Sequence, residues 1–83
     1  MTIREMITAI TDGVITDRLV NALVEFMWDY DPYGIMDYYG HIDDDGVREQ
    51  LANEVRFCLD EEETVLLDNL NDALGNPAFR ENY

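Results

Sequence analysis

Apolar residues recur along this chain at three- and four-residue spacing, and nowhere do they alternate with polar ones long enough to argue for a sheet. Thr2-Ile3-Arg4-Glu5 has the form of a capping box, in which the Thr2 hydroxyl and the Glu5 carboxylate satisfy each other's orphan amides. A short first helix is expected to run from there to about Ile10. Thr11-Asp12-Gly13 is turn chemistry, and Thr16 or Asp17 can cap a second helix whose Leu19, Leu23, Phe26, Met27 and Tyr30 trace one face. That helix should stop near Asp31, because Pro32 disfavours helical backbone in the residue before it. With Asp31 as N-cap and Pro32 at the first helical position, a short third helix can reach Tyr39 and end at Gly40.

Val47, Leu51, Val55, Cys58 and Leu59 lie on one helical face and mark a fourth helix after Asp43-Asp44-Asp45. Asp60 to Glu63 interrupt that face before Leu66, Leu67, Leu70, Ala73 and Leu74 resume it, and Gly75 and Pro77 end it. Either a new helix begins at Asp60 or Thr64, or one long helix bends there. A new helix is the preferred reading, because a continuous one would bury Glu62 on its seam. The expected fold is all-α: a small single-domain bundle of four to five short helices over residues 1–75, followed by an irregular tail over 76–83 with Phe79 against the body. Eighty-three residues, 47% of them apolar, suit one domain with a small core.

Charge changes the picture most. Nineteen acidic residues face five arginines and no lysine, for a formal net charge of -14. Such a surface repels nucleic acid and anionic membrane and attracts basic proteins or cations. The same charge can serve solubility alone, as it does in many acidic bacterial, halophilic and phage proteins. Cys58 is the single cysteine, so neither an intrachain disulfide nor a multi-cysteine metal site is expected, and a reducing cytoplasm fits best. MTIREMITAI lacks the basic segment and apolar run of a signal peptide, and no run of about 20 apolar residues occurs, so no export and no membrane association are expected.

Two segments invite a metal reading. Asp29-Tyr30-Asp31-Pro32-Tyr33-Gly34-Ile35-Met36-Asp37 resembles the front of an EF-hand calcium loop, with aspartates at loop positions one, three and nine and glycine at six. Position five is Tyr33, however, and position twelve, where calcium needs a bidentate glutamate, is Gly40. His41 with Asp43, Asp44 and Asp45 offers an imidazole and three carboxylates, which also serve as the cap and first-turn acids of the fourth helix. Helix connector and cap are the expected roles, with no metal. A single histidine, a single cysteine on an apolar face and no glycine-rich phosphate loop leave no nucleophile with an evident base. Cys58 reads as a core residue. No catalytic residue and no cofactor are expected.

The acidic surface is then the candidate site. Asp60, Glu61, Glu62 and Glu63 gather at the expected start of the last helix, with Asp68 and Asp72 beyond them. Glu61, Asp68 and Asp72 would form one stripe, whose four-residue step of about 6 Å along the axis compares with the spacing of successive phosphates on a nucleic-acid strand. Asp43, Asp44, Asp45 and Glu49 add charge at the fourth helix, and Asp29, Asp31 and Asp37 extend it backwards. Only Arg48 and Arg56 are available to relieve this repulsion. Trp28, Tyr30, Tyr33, Tyr38 and Tyr39 lie beside the aspartates, where they can serve as core anchors or as an interface for an arginine-rich partner.

In size, charge, helicity, absence of lysine and mixture of Asp and Glu with Tyr and Trp, the whole chain resembles the small acidic DNA-mimic inhibitors of phage, Ocr-like and anti-CRISPR proteins among them. The resemblance implies carboxylates that occupy the phosphate positions in a partner's DNA groove. The expected partner is thus a basic nucleic-acid-binding protein, met through the acids above together with Tyr33, Tyr38 and Tyr39, with no direct contact to nucleic acid. The alternative is a helical adaptor or homodimer that recognises through its aromatic and apolar surface, with charge serving solubility.

Overall fold

Helix starts in this chain coincide with polar side chains that take up free backbone amides. The computed structural model describes residues 1–40, 42–61 and 63–77, Glu63 by its backbone alone. In α1 (Ile3–Asp12) the Thr2 hydroxyl accepts from the Glu5 amide at 3.1 Å while the Glu5 carboxylate accepts from the Thr2 amide at 3.3 Å. The helix runs two residues beyond Ile10 and closes at Gly13, whose φ of 72° is the left-handed conformation that glycine adopts without penalty. Thr16 caps α2 (Asp17–Tyr30) by accepting from the Leu19 amide at 3.2 Å. Asp31 then does two jobs. Its amide donates to the Met27 carbonyl, finishing α2, and its carboxylate accepts from the Gly34 amide at 3.0 Å, starting α3 (Pro32–Tyr39). Asp43 caps α4 (Asp44–Glu61) through the Gly46 amide at 2.7 Å, and α5 (Glu63–Leu74) follows. The described residues hold five helices and no strand.

Four of these helices close a ring. α1 packs on α2 and α5, α4 packs on the same two, and α3 leans on α2. Arg48 of α4 pairs with Glu25 of α2, and Arg56 with Asp17, so α4 runs antiparallel to its neighbour. Inside the ring lie Ile3, Met6 and Ile10 of α1, Leu19, Leu23 and Phe26 of α2, Val47, Leu51 and Val55 of α4, and Leu66, Leu70 and Ala73 of α5. Ile35 is the buried residue of α3. No buried polar or charged side chain occurs among the described residues, so the core gains its stability from apolar burial alone. The radius of gyration, 12.3 Å, is close to the roughly 12 Å expected for one domain of this length.

Two expectations need correction. The last helix starts neither at Asp60 nor at Thr64: Asp60 and Glu61 complete α4, and α5 begins at Glu63. No glycine or proline in that stretch marks the boundary. Cys58 is half-buried against the core and not within it, because Leu59 takes the buried position beside it. His41, the expectation for Glu62 on a seam and that for the tail from residue 78 on, Phe79 included, fall outside the described residues, while Pro77 is already helical.

Candidate functional site

Asp29 to Asp37 forms the end of one helix, a cap and the start of the next. Asp29 lies in the last turn of α2, Asp31 is the shared cap and Asp37 sits within α3. A Cβ at position 34 would come 2.1 Å from Asp31 Oδ2, so Gly34 is what allows the Asp31 carboxylate to fold over the helix start. Asp43 is likewise turned to the Gly46 amide. The described residues contain no group of three or more His, Cys, Asp or Glu side chains placed to hold a metal ion.

The arginines are committed elsewhere than the sequence suggests. Arg48 forms its ion pair with Glu25 and lies 5.5 Å from the centre of the Trp28 ring. Its hydrogen bond to Glu25, with the negative charges of Glu25, Asp44 and Asp45, raises its pKa above the ordinary arginine value. Arg56 reaches Asp17 at 3.5 Å. Both partners belong to α2, outside the acidic run. Asp37, Asp44, Asp45, Glu49, Glu54, Asp60, Glu61 and Asp68 are exposed and form no ion pair among the described residues. Asp60 and Glu61 also sit in the last turn of α4, where the helix dipole disfavours negative charge and no basic residue offsets it.

The expected stripe of Glu61, Asp68 and Asp72 is broken, because Glu61 belongs to α4 and the two aspartates to α5. Asp72 is also partly occupied: the Tyr30 hydroxyl donates to its Oδ2 at 2.9 Å. This bond, together with desolvation and the charges of Asp72 and Asp31, raises the Tyr30 pKa. Asp68 keeps its outward position on α5. The side chains of Glu62 and Glu63 fall outside the description.

The aromatics divide. Trp28 and Tyr30 are half-buried against the core, and the Tyr30 ring lies 5.4 Å from that of Phe26. Tyr33 and Tyr38 are 85% and 75% exposed, and Met36 between them is 61% exposed. Tyr39 is half-buried and meets Tyr38 edge to face at 4.7 Å between ring centres. Burial raises its pKa, reinforced by the Glu54 carboxylate.

Tyr38 and Tyr39, with Asp31, Gly34 and Ile35 of the α3 region and Glu54 of α4, line an open groove of about 350 Å³. Glu54 was not among the residues the sequence nominated, and neither were the exposed Met36 and Phe57. Nothing in the local pattern separates Glu54 from the other α4 acids, since its place beside α3 depends on helix packing. No protein-family model, curated protein or solved structure matches this chain.

Proposed function

We propose that this protein binds a basic nucleic-acid-handling protein and occupies its nucleic-acid-binding surface, as DNA-mimic inhibitors do. The observation that carries this reading is the disposition of charge. Among the described residues both ion pairs draw their carboxylates from α2, while Asp37 of α3, Asp44, Asp45, Glu49, Glu54, Asp60 and Glu61 of α4 and Asp68 of α5 are exposed and outside any ion pair. Clustered carboxylates without cations repel one another, so the folded chain keeps an unfavourable surface that a cationic partner would relieve. Binding then releases counterions and weakens as salt rises.

A second reading has its own observation. Tyr33, Met36 and Tyr38 project from α3, and tyrosine and methionine are enriched at protein interfaces. An adaptor of this kind would hold its partner through apolar contact and persist in high salt.

One experiment separates them. The immobilised protein is exposed to a bacterial lysate, washed at rising salt, and challenged with DNA. Mimicry predicts retention of a nucleic-acid-binding protein that DNA or salt releases, and loss of retention when Asp60, Glu61 and Asp68 are changed together to lysine. A partner indifferent to salt and DNA would overturn it in favour of the adaptor.

A further inference from the structure

We infer that the groove between α3 and α4 is an arginine subsite, which takes one guanidinium of the partner's basic segment against the Tyr38 ring and between the carboxylates of Asp31 and Glu54. The inference rests on the basic-partner reading above and names the side chain that the partner presents.

The groove has the parts such a side chain needs. Ile35, a buried lining residue, offers apolar surface to the methylenes of an arginine, and Gly34, lacking a Cβ, lets the Asp31 carboxylate lie against that wall. Tyr38 presents an exposed aromatic ring to a cation. Two carboxylates stand at the rim. Asp31 uses Oδ1 for the Gly34 amide, while its Oδ2 lies over Gly34, itself a lining residue. Glu54 forms no hydrogen bond or ion pair among the described residues. The chain already builds this combination once within itself, where Arg48 lies over Trp28 and pairs with Glu25 three residues before it on α2.

Charge excludes the other occupants. A net charge of -14 opposes a second copy of this chain, and an anionic ligand would meet two carboxylates at the rim. Arginine is favoured over lysine because its planar guanidinium stacks on an aromatic face while its fork of donors meets a carboxylate.

The test titrates octa-arginine and octa-lysine separately into the isotope-labelled full chain at low salt, following amide shifts by NMR. The expected result is displacement of Gly34, Tyr38 and Glu54 resonances, with octa-arginine binding about fivefold more tightly than octa-lysine. Tyr38→Leu and Glu54→Gln should each abolish that preference. Asp12→Asn, at the exposed end of α1, should leave it intact. Equal binding of both peptides to the unaltered chain would overturn the subsite while leaving the acidic-surface reading in place. Binding of neither would overturn both. Groove shifts that follow protein concentration without peptide would assign the groove to a second copy and also overturn the inference. Tyr38 is exposed, so its replacement leaves the core untouched, which circular dichroism of the variant checks.

Discussion

The Tyr30 hydroxyl donates to Asp72 Oδ2 across 2.9 Å, joining the last residue of α2 to the final turn of α5 over forty-two positions of sequence. The bond favours the neutral phenol, which is why the Tyr30 pKa rises above the ordinary 10.0. A group whose pKa is raised on folding contributes stability that is complete below its unfolded pKa and lost as pH climbs through the folded value. Tyr30→Phe should therefore unfold at lower urea than the parent at neutral pH, and the two midpoints should converge in strong alkali. A gap that persists above the tyrosine range would assign the effect to packing.

Arg48 joins α4 to α2 through both a charge and a ring. Arg48→Ala removes both and makes the net charge one unit more negative, so stability should fall by up to about 1 kcal/mol and Trp28 emission should shift with its altered surroundings. Arg48→Lys keeps the charge and gives up the planar stack. It should restore stability in low salt only in part.

Leu70 is fully buried where α5 meets the rest of the ring. Leu70→Ala should cost about 2 to 5 kcal/mol, a large share of the roughly 5 to 15 kcal/mol that holds a small domain folded. Tyr33→Ala, at an exposed position, should stay within about 0.5 kcal/mol. Urea denaturation of both variants measures the contrast. If the tyrosine costs as much as the leucine, then the boundary between core and surface in α3 is wrong.

Gly40 closes α3 where a Cβ would stand 2.4 Å from the Met36 carbonyl oxygen, a contact that no side chain can accept without backbone movement. Gly40→Ala should destabilise by about 1 to 3 kcal/mol and loosen the end of α3. Faster amide exchange at Tyr38 and Tyr39 in the variant would report it. Unchanged exchange and stability would mean that this turn relaxes freely.

How far the sequence can be read is clearest at the caps. Thr2 and Asp31 accept from the amide three residues on, as the sequence suggested, and where it left Thr16 or Asp17 and Asp43 or Asp44 open, Thr16 and Asp43 make the bond. Such bonds form within one turn and need nothing from the rest of the chain. The junction of α4 and α5 resisted reading for the converse reason: Asp60 to Glu63 carries no breaker, so only the packing of Leu59 and Leu66 on different helices sets where one ends. Among the candidate site residues, the exposed positions of Asp37, Asp44, Asp45, Glu49, Asp60, Glu61 and Asp68 agree with the pattern of polar positions. The contrast between exposed Tyr38 and half-buried Tyr39 does not follow from local pattern, because it depends on which helices α3 leans against.

By itself the sequence determined the all-α class, the caps at Thr2 and Asp31, the apolar faces of the helices and a total charge of -14, since each follows from residue type and short-range geometry. Only the tertiary structure decided which carboxylates keep that charge. Arg48 and Arg56 sit among acids along the chain, yet antiparallel packing brings Glu25 and Asp17 within their reach and leaves the neighbouring acids of α4 without an ion pair among the described residues. Helical periodicity tells which side of a helix is polar, whereas the partner of a charge depends on which helix lies alongside it and in which direction that helix runs.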